Sequence, residues 1–167
     1  VISAVCAKFN KNNDLYFTRR YVTRMDAGAD SRDIGLTQEE FEHNWRRGLF
    51  ALDWRAHGLS YGIRKIINNH LAAGKTVVVN GSRAYLREAL SRYPSLLAVQ
   101  ISVPREVARQ RLLARGRESA QDIEARLSRS PAFDVPPSWM ITIDNSGPLE
   151  EAVEAFATLL LNECVSA

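Results

Sequence analysis

From residue 64 onward, helical stretches alternate with short apolar runs, and this alternation constrains the fold more than any other feature of the chain. The periodicity predicts helices over Arg64–Ala73, Ser82–Tyr93 and Val107–Arg115. It predicts another from Ser119 through about Arg129, and a long last helix opened by Pro148. Between them lie Thr76–Asn80, a continuous apolar run, Leu96–Val103, which reads as a second buried strand, and Met140–Asp144, which reads as a third. Strands of this kind separated by helices form a parallel sheet with helices above and below it. The expected class is therefore α/β, in three layers. Ligands in such sheets bind at the carboxyl ends of strands. The polar residues there are Asn80, Ser82 and Arg83 after one strand, and Asp144 and Asn145 after another.

The first 63 residues read differently. Val1, Ile2, Val5, Cys6 and Phe9 share one helical stripe, and Leu15–Thr23 alternates as a strand. Met25–Arg32 is rich in turn formers. Thr37 and Glu40 spell a capping box for a helix to about Arg47, stopped at Gly48. Leu49–Trp54 and Ser60–Ile63 read as short strands around a turn at Gly58. Residues 25–63 thus form a small β-rich insertion in a single domain of 167 residues. A domain of this size buries a core without disulfide or metal staples. Cys6 and Cys164 read as reduced thiols, and His43, His57 and His70 have no zinc-type spacing. No run approaches the length of a membrane span.

Charge is concentrated in one window. Residues 104–130 contain seven arginines, no lysine and four acids, an excess of +3 that equals the excess of the whole chain. Arginine forks suit phosphate oxygens, so this window points to phosphate binding rather than to a solvated helix face alone. No aromatic residues interleave with it, which argues against a nucleic-acid surface.

Several runs carry a family likeness. Arg20-Tyr21-Val22-Thr23-Arg24, Ala27-Gly28, Phe41, Leu52-Asp53-Trp54 and Gly58-Leu59-Ser60-Tyr61-Gly62 resemble the substrate-binding unit of guanylate kinases. Val79-Asn80-Gly81-Ser82-Arg83-Ala84, with Arg111-Leu112 and Arg115-Gly116-Arg117-Glu118, resembles the ribose 1,5-bisphosphate phosphokinases, guanylate-kinase-like enzymes of phosphonate catabolism. The likeness implies a three-layer P-loop kinase fold with a lid over 115–131 and a cytoplasmic enzyme. Guanylate kinases have an acid where this chain has Ser82, a serine where it has Arg20, a second loop arginine at Asp26 and an aromatic at Ile34. The guanine-reading set is thus largely absent, with Asp53 left as one carboxylate. A basic residue in place of a base-reading serine suits a substrate with an extra phosphate and no nucleobase.

The Gly-rich phosphate loop of P-loop kinases is not in the sequence. The likeness places it before the helix at Val1, and without it the 167 residues are expected to bind ATP poorly. A guanylate-kinase-like fold without that loop also serves as a protein-binding module. That reading and guanylate kinase itself are the alternatives.

By resemblance, the reaction transfers the γ-phosphoryl of ATP, accompanied by Mg2+, to the 1-phosphate of ribose 1,5-bisphosphate. Arg24 and Tyr61 are expected to hold a substrate phosphate. Arg20, Asn80, Ser82 and Arg83 are expected near the ribose and its second phosphate. Arg115 and Arg126, with Arg117 as a further candidate, are expected on the transferring phosphoryl, and Asn145 by the adenine. The metal is expected to be held mainly by the Gly-rich loop and by ATP, and the sequence names no ligand for it. The attacking phosphate oxygen is already ionised at neutral pH, so positioning and charge neutralisation suffice. Plainer roles stand beside these: core packing for Tyr61, an ion pair for Asp53, a surface place for Arg83, and a solvated or ion-paired place for Arg109, Arg111 and Arg129.

Overall fold

In the computed structural model, which describes residues 1–24, 32–116, 119–128, 135–136 and 139–165, the chain divides into two compact units. One comprises Val1–Ser82 with Ala157–Ala167, the other Arg83–Phe156.

The first unit runs α1 (Ile2–Lys8), β1 (Leu15–Phe17), β2 (Arg20–Val22), β3 (Asp33–Gly35), α2 (Gln38–Arg46), β4 (Phe50–Ala56), β5 (Leu59–Arg64), α3 (Ile66–Ala72) and β6 (Thr76–Val78). The expected single strand over Leu15–Thr23 is in fact two strands in two sheets. β1 pairs in parallel with β6, and the Thr18 N–H still donates to the Val78 carbonyl at 3.0 Å. Two residues later Arg20 pairs with Asp33 in the other sheet. Leu15, Thr18 and Val22 are buried on both sides of the break, and no turn former interrupts the run, which is why the sequence reads as one strand.

The second sheet has the order β3-β2-β5-β4, with β2 and β3 parallel and the rest antiparallel. β3 had no counterpart among the expected elements. β4 and β5 join through His57 and Gly58, both at positive φ (53° and 72°), as a two-residue hairpin turn of the I′ kind requires. The period of two gives this sheet two distinct faces. Cross-strand register places Val22, Tyr61 and Trp54 on one face, with Arg20 and Asp33 alongside. Tyr21, Gly62 and Asp53 fall on the other. α2 covers that second face, where Phe41 stacks on Phe50 with ring centroids 4.8 Å apart. The capping box forms as spelled: Thr37 Oγ1 accepts the Glu40 N–H at 3.1 Å, and Glu40 Oε2 accepts the Thr37 N–H at 2.8 Å. Caps of this kind contribute about 1 kcal/mol. Val22 and Ile63 are fully buried at the centre of the sheet.

The second unit contains a 3-10 turn (Arg83–Tyr85), α4 (Leu86–Arg92), β7 (Ala98–Ser102), α5 (Arg105–Arg115), α6 (Ala120–Ser128), β8 (Met140–Asp144) and the first half of α7 (Leu149–Val165). The helix expected over Ser82–Tyr93 therefore starts later, after the 3-10 turn. β7 and β8 pair in parallel over five residues. The expected parallel pairing is present as two pairs, one in each unit. α5 ends at Gly116 in the left-handed conformation, φ 62°. Ser119 opens α6, its Oγ accepting the Asp122 N–H at 3.1 Å. Among the described residues no helix is long and apolar enough to cross a membrane.

Candidate functional site

In the first unit, Arg20, Asp33, Arg24 and Tyr61 converge. The parallel register of β2 and β3 sets Arg20 directly opposite Asp33. The Asp33 carboxylate accepts from Arg20 Nε and Nη2 at 2.9 Å each, a two-point contact. Arg24, about half exposed, brings its Nη2 to 3.8 Å from the same carboxylate. The Arg20 guanidinium lies 5.3 Å from the centroid of the Tyr61 ring, which is stacked on Trp54 at 5.4 Å with the planes 7° apart. The indole thus supports the phenol, and the phenol supports the guanidinium.

A cavity of about 190 Å³ adjoins this group, lined by Ser3, Thr18, Arg20, Arg32, Asp33 and Asn80 among others. Two guanidinium groups against one carboxylate leave its lining with a net positive charge. Thr18 is buried, and its Oγ1 has no hydrogen-bond partner among the described residues. Arg32 is held from behind: Nη1 donates to Cys6 Sγ at 2.7 Å and Nη2 to the Phe17 carbonyl at 2.8 Å. Cys6 is a free thiol.

The expected residues distribute unevenly. Arg20, Arg24, Tyr61 and Asn80 gather at or beside the cavity. Asp53 does not join them, since it lies on the opposite face of the sheet and accepts the Trp45 indole N–H at 3.2 Å. Ser82 is half-buried at the end of the loop after β6, and Arg83 is exposed at the start of the 3-10 turn. Asp33 and Arg32 were not expected. Their positions depend on pairing with β2 and β1 residues far away in sequence, and no local motif encodes it.

The second unit has its own polar centre, where β8 ends. Arg111 of α5 donates Nη1 to the Asn145 carbonyl at 2.6 Å, and Nη2 to the carbonyls of Ser146 at 3.1 Å and Gly147 at 2.7 Å. Arg111, expected to be solvated or ion-paired, instead grips three backbone oxygens. The Asn145 N–H donates to the Ser102 carbonyl at 2.7 Å. Its side-chain Oδ1 is buried with no hydrogen-bond partner among the described residues. An orphaned acceptor of this kind fits a ligand that brings an N–H donor. The Ser146 hydroxyl and backbone N–H, both bonded to Asp144, hold the Asp144 carboxyl below its usual range.

Arg109 and Arg105 pair with Glu124 at 2.7 and 3.0 Å, as ion pairing would have it for Arg109. Arg115 is exposed on the last turn of α5, with no side-chain partner among the described residues. Arg117, Arg129, the Asp26–Gly28 stretch and the side chains of Arg126 and Cys164 lie outside the described residues. Among the described residues, no three His, Cys, Asp or Glu side chains cluster as metal ligands do.

No family model matches the chain. It is similar to curated proteins named ribose 1,5-bisphosphate phosphokinase PhnN. With that of Desulfomicrobium baculatum it is 47% identical over 151 residues, covering 90% of this chain and 80% of the relative. With that of Pseudomonas fluorescens it is 45% identical over 141 residues, 81% of this chain and 74% of the relative. With that of Burkholderia pseudomallei it is 42% identical over 158 residues, 94% of this chain and 85% of the relative. Among solved structures it resembles a guanylate kinase from Anaplasma phagocytophilum with a TM-score of 0.70. That match covers 97% of this chain and 81% of the other at 16% sequence identity, a likeness of fold.

Proposed function

This chain belongs to the ribose 1,5-bisphosphate phosphokinase family, and from that premise we propose how its residues divide the work of an ATP-dependent phosphotransferase. The acceptor is the 1-phosphate of ribose 1,5-bisphosphate, and the product is 5-phosphoribosyl 1-diphosphate. ATP, when bound with Mg2+, supplies the phosphoryl group. The protein's task is to hold two highly charged partners in line and to offset their repulsion.

Arg24 and Tyr61 take one substrate phosphate, and Arg20, Asn80, Ser82 and Arg83 take the ribose and its second phosphate, across the insertion of residues 25–63. Arg115, with Arg126 and Arg117 in a lid over 115–131, neutralises charge on the transferring phosphoryl. Asn145 Oδ1 accepts from the adenine amino group. Asp53 supports α2 through Trp45 rather than touching substrate. Both substrates are metabolites of the cytoplasm, which is where we propose the enzyme works.

The observation that supports the substrate half most directly is that Arg20 and Asn80 line one positively charged cavity, with Arg24 and Tyr61 next to Arg20 and its partner Asp33. Ser82 and Arg20 stand where a guanine-reading site needs an acid and a serine. The test, on a protein in which a Gly-rich phosphate loop precedes these residues, compares ADP release with ribose 1,5-bisphosphate and with GMP. The expected result is a kcat/KM far higher for the sugar bisphosphate. Comparable values for GMP would return the chain to guanylate kinase activity.

A further inference from the structure

Asp33 belongs to none of the runs that carry the family likeness, yet it organises the cationic side of the cavity. Its carboxylate meets the Nε–Nη2 edge of Arg20. The Nη1 end of that guanidinium has no partner among the described residues, and Arg20 lines the cavity. With Arg24 3.8 Å from the same carboxylate, two cations approach a common point. They would repel each other there without the anion between them. A two-point contact also fixes the plane of a guanidinium, which a single hydrogen bond does not. Asp33 is itself well shielded, its side chain 10% exposed. The Tyr61 ring provides a second support for Arg20.

We propose that Asp33 is a positioning residue of the phosphosugar site: it aims the free Nη1 end of Arg20 into the cavity and keeps Arg24 beside it. The proposal rests on the reading above that these two arginines meet substrate phosphates. Asp33 makes no contact with the substrate, because a carboxylate there repels phosphate. It also closes the Nε–Nη2 edge of Arg20 to any anion, so a phosphate can approach only end-on. Its whole effect on catalysis therefore passes through its arginines.

The test is a double-mutant cycle on the full-length enzyme with Asp33→Asn, Arg20→Ala and both together. Asp33→Asn is expected to raise KM for ribose 1,5-bisphosphate about tenfold and to leave KM for ATP unchanged. Added to Arg20→Ala, it is expected to raise KM no further. Asp33→Glu, which keeps the charge, is expected to stay within about threefold of wild type. Additive effects, an unchanged KM in Asp33→Asn, or a Glu variant as impaired as the Asn variant would each overturn the proposal. So would an Asn variant that no longer melts cooperatively, since Asp33 would then be a residue of the fold. A second readout needs no substrate. The Nε–Hε resonance of Arg20 is expected to be sharp and slow to exchange in the wild-type protein and to broaden in Asp33→Asn, and an unaltered resonance would overturn the clamp. A wild-type enzyme that ignores ribose 1,5-bisphosphate would instead defeat the substrate reading, and the resonance separates the two failures.

Discussion

Gly62 faces Phe50 so closely that a Cβ on it would lie 2.5 Å from two carbons of the ring. Phe50 is buried, stacked on Phe41 and tilted against Tyr21 at 6.1 Å, so the ring has nowhere to retreat. Gly62→Ala should destabilise the protein by about 1–3 kcal/mol, the usual cost of overpacking a filled core. Denaturant unfolding checks this as a lowered midpoint with an unchanged slope. The neighbouring Tyr61 should also shift, raising KM for the phosphosugar.

Arg111 secures the turn after β8 through three carbonyl oxygens. Hydrogen bonds from a charged donor contribute about 1.5–3 kcal/mol each, less where water competes. Arg111→Ala should let the Asn145 turn drift and raise KM for ATP about tenfold, with KM for the phosphosugar unchanged. Lysine at this position should recover only part of the loss, because one ammonium cannot span three acceptors as a fork does. Steady-state kinetics with each substrate varied in turn distinguishes these outcomes.

The Glu124 carboxyl is held below its ordinary 4.5, first by the hydrogen bond from Arg109 and next by that from Arg105. A carboxyl that is more acidic in the folded than in the unfolded state stabilises the fold above its unfolded value. That contribution is lost as the pH falls through the lower folded value. Glu124→Gln should therefore lower the melting temperature at about pH 6 and converge on wild type in stronger acid. Melts across that range, with α5 and α6 followed by hydrogen exchange, check it. A parallel pair of curves at every pH would show that the two ion pairs contribute nothing measurable.

Arg24 and Arg115 should fail in different ways. Arg24, beside the cavity, is read as holding a substrate phosphate in ground and transition states alike. Arg24→Ala should raise KM for the sugar bisphosphate about ten- to a hundredfold, with a smaller fall in kcat. Arg115 ends α5 exposed, with no side-chain partner among the described residues. Arg115→Ala should leave stability and that KM nearly unchanged and lower kcat by about ten- to a hundredfold. A kcat that survives the substitution would make Arg115 a surface residue of α5.

The sequence revealed what is encoded locally. Thr37 with Glu40, and Ser119 before α6, mark helix starts within four residues of chain, and both caps form. The apolar runs before Asn80 and Asn145 likewise stand out by their composition, although the strands they form are not buried on both faces: Val78 is the buried residue of β6, and Ile143 that of β8, where Ile141 is exposed. β3 stayed hidden because three residues, one charged and one glycine, make no pattern of their own; only pairing with β2 makes them a strand. The break between β1 and β2 was equally silent, since alternation does not say which neighbour a strand will find. For the same reason Arg20 was legible as a cation near the substrate, whereas its tie to Asp33 was not. Arg111 read as one more arginine in a basic window, because backbone carbonyls leave no trace in a sequence.

The strand break at Thr18–Arg19 has a mechanical consequence. Thr18 is still bonded to the parallel pair through Val78, while Arg20 already belongs to the sheet with Asp33 and Tyr61. A single residue, Arg19, is all that separates the two anchorages. Arg20, Asp33, Tyr61 and Trp54 are fastened to one another within their sheet, so a twist at Arg19 would swing them as a single piece with their spacings kept. Whatever tightens around the sugar bisphosphate would then arrive already assembled, with the torque delivered through Arg19 and through Arg32, whose guanidinium ties the start of β3 back to the Phe17 carbonyl and Cys6.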